Sequence, residues 1–485
     1  MGVLTNYEPK EVLRFFEEIC SIAHGSTNTT AISDYLVKFA EDRGLSYRQD
    51  EAENVIIRKP GTAGYENSAV VIIQGHIDMV AVKDDDCDKN MDTDGLDAEV
   101  VQIDGEDWIT AKGTSLGGDD GIAVAYALAL LDSDDIPHPP LECVFTTDEE
   151  IGMLGAAALD VSDLQGRIFI NMDSEDEGVF TVSCAGGVRA TGTVPYDKET
   201  KRGTVVSAKL SGFAGGHSGV EINKGRMNAC IACGRAVNAV NHTVPLQLVH
   251  ISGGAKDNAI ATFAEVSFLV PDDQTEAAVK ALEKAVNEIK AEYASVEKGI
   301  VLSVNTEKKE TVCFTKKSTD TVLALLMIYP NGVRRMNPDM KDMVQTSLNL
   351  GVMQTTDDAF VLTSALRSSS ATEKEYMLNQ VKAAVALAGG TVTTVGEYPG
   401  WEYMPESLLR DTMVAAYKEQ YGSEPVVEGI HAGLECGLFA SKINGLDCIS
   451  YGPMMRNVHT TGERLNIPSV ERTWKLTKNA LARLK

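Results

Sequence analysis

The sequence has no apolar stretch near the roughly 20 residues that a helix needs to cross a bilayer, so no membrane-spanning helix is expected. It has little positive charge: 44 Lys and Arg stand against 70 Asp and Glu, a net charge of −26. A nucleic-acid binder normally carries a basic footprint, so that class is set aside, as is docking on anionic lipid. The opening stretch MGVLTNYEPKEV has no basic flank before an apolar run, so no signal peptide is expected. The cytoplasm is the expected location. Cysteine is sparse as well. Nine cysteines, an odd number scattered over 485 residues, do not make a disulfide framework. Cys230 and Cys233 form a CxxC within an amphipathic helical stretch, with no second pair, and are expected to be packed thiols, with redox or metal chemistry as the minor reading.

What is present describes an ordinary globular protein, with 44% apolar and 24% charged residues. Its length calls for two or more domains. EVLRFFEEICSIA and AISDYLVKFAEDRG have helical apolar spacing, and Gly44 supplies a stop. NVIIRKP, AVVIIQG, LECVFTT and RIFINM read as strands, GIAVAYALALLDS as an apolar helix, and LDCISYGP as a strand that closes the sheet. Strands alternating with helices predict an α/β sheet with helices on both faces. The acidic segment 84–97 lacks regular calcium-loop spacing and reads as a solvated flap.

From about residue 188 to 396 the order β-α-β-β-α-β can be drawn twice, over about 188–306 and 307–396. Each copy has the ferredoxin-like order. This segment is expected to be an inserted α+β domain. The first domain is then discontinuous, 1–187 and 397–485.

The polar residues that could carry chemistry stand at strand ends. His76 and Asp78 follow one strand; Asp148, Glu149 and Glu150 follow another; Asp173 follows a third. Asp119 and Asp120 precede the apolar helix, and His459 follows SYGPMMRN. Ligand crevices in open α/β sheets lie beyond the carboxyl ends of the strands. Imidazoles with carboxylates suit zinc, cobalt or manganese. Five or more such ligands fit two ions sharing a carboxylate better than one open site. In the inserted domain, His217 lies in the glycine-rich GFAGGHSG, where it can serve an oxyanion or merely a turn. Arg367 in SALRSSS can fork onto a carboxylate or be solvated, and Asn258 in GGAKDNAI can orient substrate or hold a turn.

Together, in order, the stretches GHIDMV, AKGTSLGGDDGIAVA, FTTDEEIGMLGA, NMDSED, GGHSG, HAGLECG and GPMMRNVHTTGE resemble the di-zinc aminopeptidase/carboxypeptidase-like clan. Within it they resemble the aminoacyl-histidine dipeptidases, bacterial cytosolic enzymes of the carnosinase-like kind. The resemblance covers nearly the whole chain. It implies a zinc-peptidase-like mixed sheet flanked by helices, with the inserted domain as a lid built from two ferredoxin-like units. It implies two divalent ions, zinc first, with manganese or cobalt as alternatives. His76, Asp119 and Asp173 would hold one ion; Asp119, Glu150 and His459 would hold the other. Asp78 matches the aspartate that orients His76, Glu149 the general base, and His217 the lid histidine that stabilises the tetrahedral intermediate. Asn258, Arg367 and His431 lie in stretches that resemble substrate-binding ones. Relatives often carry Asn where this chain has Asp120.

The implied activity is hydrolysis of small peptides, mainly dipeptides such as Xaa-His. A tripeptidase or aminoacylase of the same clan, or a non-catalytic metal-dependent binding protein, are the alternatives. Monomer and homodimer both stay open.

Overall fold

The computed structural model describes residues 2–485, and the chain divides into two compact units. Unit 1 comprises Met1–Cys184, Tyr403–Gly429 and Leu434–Lys485; unit 2 comprises Ala185–Glu402 and Ile430–Gly433. The chain thus crosses between units near 184 and 402, and crosses twice more around the short stretch 430–433.

Unit 1 is built on an eight-stranded sheet. Its strands are β1 (Ser46–Gln49), β2 (Val55–Lys59), β3 (Val71–His76), β4 (Leu141–Thr146), β5 (Ile168–Asn171), β6 (Val179–Cys184), β7 (Val426–Ile430) and β8 (Asp447–Ser450). Their spatial order is β1-β2-β4-β3-β5-β8-β6-β7. The centre is parallel: β3 pairs with β4 and β5, and β8 pairs with β5. Every residue of β3, β4 and β5 is buried, as expected of parallel strands covered on both faces. LDCISYGP therefore supplies an interior strand, not a closing one.

The helix Gly118–Asp132 is apolar on all sides, which requires burial, and it packs on β3 and on the helix Lys10–Cys20. The helix Thr30–Arg43 ends at Gly44, whose φ of 66° is the left-handed conformation that glycine adopts freely. Unit 1 also contains a four-stranded sheet, ordered Met455–Arg456, Arg464–Asn466, Glu106–Ala111, Ala98–Ile103. The loop between its first two strands carries His459.

Unit 2 has a nine-stranded antiparallel sheet with a helical layer over one core. The ferredoxin-like duplication is present, but its halves do not divide at 306/307. The first half takes strands Lys198–Ser211, Gln247–Gly253, Ala264–Val270 and Val301–Phe314. Val301–Phe314 is one continuous strand, paired along its whole length with Lys198–Ser211. ETVCFTKK therefore does not open a second copy. The second half instead takes its first strand from Gly186–Pro195, ahead of the first half in the chain. That strand lies between Ala359–Ser368 and Thr391–Tyr398. The first ferredoxin-like unit is thus inserted within the second. Cys230 and Cys233 are buried in the helix Ala229–Thr243, where burial pushes the Cys230 thiol up to about 12.

Candidate metal centre

Parallel pairing of β3, β4 and β5 brings three strand ends to one edge of unit 1. His76 ends β3, the turn Asp148–Glu150 follows β4, and Asp173 follows β5. Asp119 and Asp120 join them from the first turn of the helix Gly118–Asp132, where both depart from helical φ/ψ and their shared peptide is cis.

His76 is 1% exposed. Its Nδ1 faces acceptors, the Asp78 carbonyl at 2.9 Å and Asp78 Oδ1 at 3.5 Å, so Nδ1 carries the proton. That leaves Nε2 with a lone pair when the ring is neutral, and Nε2 points at Asp119 Oδ1, 3.1 Å away. The other oxygen of Asp119, Oδ2, lies 3.1 Å from His459 Nε2. One carboxylate therefore spans two imidazoles. His459 Nε2 also lies 2.8 Å from Glu150 Oε1, a contact outside hydrogen-bond alignment that leaves this buried oxygen without a partner.

Two sets of ligand atoms lie within 4.8 Å of one another: His76, Asp119 and Glu150, and His76, Asp120 and Asp173. Each could hold a divalent cation, and the two sets, which meet at His76, are together capable of holding a dinuclear centre. The nitrogen and oxygen donors, the buried carboxylates and the unpaired Glu150 oxygen all fit such cations. The second set contains Asp120, which was not foreseen as a ligand. Asp120 is fully buried, and its oxygens have no aligned hydrogen bond.

The electrostatics give the same reading. Burial pushes the Asp120 and Asp173 carboxyls well up, and the Asp119 charge adds to both. Burial opposes protonation of His76, yet hydrogen bonding to Asp119 and Asp78 wins and raises it well above its ordinary value. The hydrogen bond to Asp119 and the close Glu150 carboxylate raise His459 to about 10. This is a place where negative groups outnumber their local counter-charge.

Glu149 sits beside this set without a share in either ligand group. Burial lifts its carboxyl to about 6, and the charges of Glu150 and Asp119 add to that against His76. A carboxylate near 6 accepts and returns a proton near neutral pH. Asp78 does more than orient His76. Its oxygens accept the Glu149 N–H at 3.0 Å, the Glu150 N–H at 3.3 Å and the Ser26 hydroxyl at 2.8 Å. Glu463 is a further holding residue that sequence reasoning missed. Its carboxylate, 2% exposed, accepts the N–H groups of Leu116, Gly117, Gly118 and Asp119 at 2.8, 3.1, 2.8 and 3.3 Å. The available signal was a glutamate four residues past His459, facing a glycine-rich helix start.

The remaining candidates belong to unit 2. His217 Nδ1 accepts the N–H groups of Gly219 and Val220, each at 3.2 Å, so its proton sits on Nε2. Burial and then the nearby Arg367 charge lower its pKa. His431 is 5% exposed and bonds Ser347 Oγ through Nε2 at 2.7 Å. Burial and Arg367 push His431 down to about 3. Arg367 donates to the Tyr398 hydroxyl at 3.0 Å. Arg367, Asn258 and Tyr398 line a cavity of about 330 Å³ with the Arg189–Asp257 ion pair. Another cavity of unit 2, about 930 Å³, is lined by none of the candidates.

The model of peptidase family M20/M25/M40 matches residues 72–483. A cytosol non-specific dipeptidase of Escherichia coli (strain K12) is 36% identical over 484 residues, covering 99% of each chain. The crystal structure of aminoacylhistidine dipeptidase from Vibrio alginolyticus superposes with a TM-score of 0.94 at 34% identity, over 99% of this chain and 98% of that one. Aminopeptidase PepT from Bacillus cereus, at 15% identity and a TM-score of 0.55 over 99% of both chains, shares the fold. The chain belongs to peptidase family M20/M25/M40.

Proposed function

We propose that this M20/M25/M40 peptidase cleaves dipeptides, Xaa-His among a broader set, and works in the cytoplasm. The observation that carries the reading is the Asp119 carboxylate held between the His76 and His459 imidazoles, with the raised carboxyl of Glu149 beside it. The names of the Escherichia coli and Vibrio alginolyticus relatives support the substrate class and, for the former, the location.

In this proposal His76, Asp119 and Asp173 would hold one cation and Asp119, Glu150 and His459 the other, a division that differs from the two geometric groups by giving Asp119, not His76, to both. When bound, two such ions supply an acidified water and polarise the scissile carbonyl. The Glu149 carboxylate would accept a proton from the attacking water and return it to the leaving amine. Asp78 keeps Glu149 in place through its backbone N–H and keeps His76 in one tautomer. His217 offers Nε2–H to the carbonyl oxygen as its charge develops. Arg367 pairs with the free C-terminal carboxylate, with Asn258 and His431 placing the rest of the substrate. A homodimer is the assembly this reading extends to, and sedimentation would read it.

The test is hydrolysis of a dipeptide panel, including Xaa-His and β-alanyl-histidine, by metal-stripped protein resupplied with zinc, manganese or cobalt. Turnover that returns with metal is expected, and Glu149→Gln should lower kcat by about 10²–10⁴-fold while metal content stays the same. Full metal loading with no turnover on any dipeptide would overturn the proposal.

A further inference from the structure

Beneath the metal-binding edge lies a second layer of buried polar side chains that the catalytic reading does not use. Gln74, Thr146 and Asn171 are 1%, 0% and 0% exposed. Each stands two residues before a member of the centre or its turn: Gln74 before His76, Asn171 before Asp173, Thr146 before Asp148. Gln74 and His76 share a face of β3, while Thr146 and Asn171 are the last residues of β4 and β5, the strands whose following turns carry Glu150 and Asp173.

Glu435 meets this layer from the first turn of the helix Glu435–Lys442, and it too is 0% exposed. Its Oε2 accepts from Gln74 Nε2 at 2.5 Å and from Thr146 Oγ1 at 2.7 Å. Gln74 Nε2 also donates to Thr146 Oγ1 at 3.1 Å, and Gln74 Oε1 accepts from Asn171 Nδ2 at 2.7 Å. The links run without a break from β4 through β3 to β5.

A buried carboxyl is costly, and here no lysine or arginine bonds it. Its second oxygen has no hydrogen-bond partner. A leucine of similar size would fill the space with less desolvation, so packing alone does not account for a carboxyl at this position. What an apolar residue cannot do is bond two strands at once.

We propose that Glu435 is a positioning residue of the metal centre, clamping β3 to β4, and through Gln74 to β5, so that their ends present the ligands at the spacing two cations require. This rests on the dinuclear reading above. The clamp acts through its bonds to Gln74 and Thr146.

The experiment is a zinc titration of the metal-stripped full-length protein against a chromophoric chelator, which reads both sites without any turnover. Glu435→Ala should weaken at least one site by about 10–100-fold, the range seen when the groups behind metal ligands are removed. Glu435→Gln keeps an oxygen for Gln74 and Thr146 and should stay within about 3-fold of the parent. With zinc saturating, Glu435→Ala should show a lower kcat with KM little changed. A folded Glu435→Ala protein that binds both zinc ions with parental affinity overturns the proposal, as does a Glu435→Gln protein as impaired as Glu435→Ala. If Glu435→Ala does not fold, Gln74→Met decides: it cuts the same clamp while filling the volume, and parental zinc affinity there overturns the proposal. A parent protein that binds two zinc ions and cleaves no dipeptide would sink the proposed function and leave the clamp standing.

Discussion

The candidate residues of the two units are held in very different ways. In unit 1, several groups of the metal centre are tied down by other buried groups, although His459 itself is exposed. Asp78 holds His76 and the Glu149–Glu150 turn, Glu463 holds the backbone into Asp119, and Glu435 holds the strands. In unit 2, His217 is steadied by two backbone N–H groups, Arg367 by one tyrosine hydroxyl and His431 by one serine, while Asn258 is exposed. The difference follows from what each set has to bind. Cations tolerate errors of only a few tenths of an ångström in ligand distance, so their ligands must be rigid before the ion arrives. A flexible peptide brings its own hydrogen-bonding groups and can complete a looser set as it binds.

The largest effect is expected where that rigidity is concentrated. Asp119→Ala removes the one carboxylate that spans both imidazoles, so zinc content should fall from two ions per chain to one or fewer and turnover should disappear, as read by elemental analysis alongside the dipeptide assay. Retention of two tightly bound ions would show that Asp120, the other buried aspartate of the pair, carries the bridge. Arg367→Ala should act quite differently. Zinc content should be unchanged, and KM should rise by about 10–100-fold from the loss of one charged pair, roughly 2 kcal/mol. A variant that instead lost metal would erase the contrast between the units.

How much of this was legible beforehand differs by region for physical reasons. The three central strands and their polar ends could be read because parallel strands are continuous apolar runs, and the acidic or imidazole residues that end them stand out. The hairpin Ala98–Ile103 and Glu106–Ala111 was not foreseen, although Asp104 and Gly105 at its turn, with φ of 54° and 85°, are the Asp-Gly signal of a tight hairpin. The acidic run before it drew the reading toward one long loop. The duplication in unit 2 was legible as a pattern, but its true partition was not. Strand pairing between Gly186–Pro195 and Ala359–Ser368 spans more than a hundred residues, and no local periodicity records it. Glu435 and Glu463 were passed over because a glutamate near a helix end is normally solvated, and only the fold buries these two.

The smallest expected effect concerns the one deeply buried histidine of unit 2. Burial and the Arg367 charge hold His431 at about 3, against an ordinary value of 6.5. It is neutral in the folded protein, whereas the unfolded chain takes up a proton below pH 6.5. Between pH 6.5 and about 3 the unfolded state therefore binds more protons, and stability falls as pH drops through that window; above 6.5 the contribution is fully present. His431→Gln places an amide near the Nε2 position, within reach of Ser347, and does not titrate. The urea midpoint of the parent should drop more than that of the variant between pH 7 and pH 5, by a difference worth about 1–2 kcal/mol. The carboxyls of unit 1 titrate in both proteins and cancel in the comparison. Equal drops would mean that the unfolded chain gains no proton that the folded His431 refuses, and unit 2 would then hold this residue as loosely as it holds Asn258.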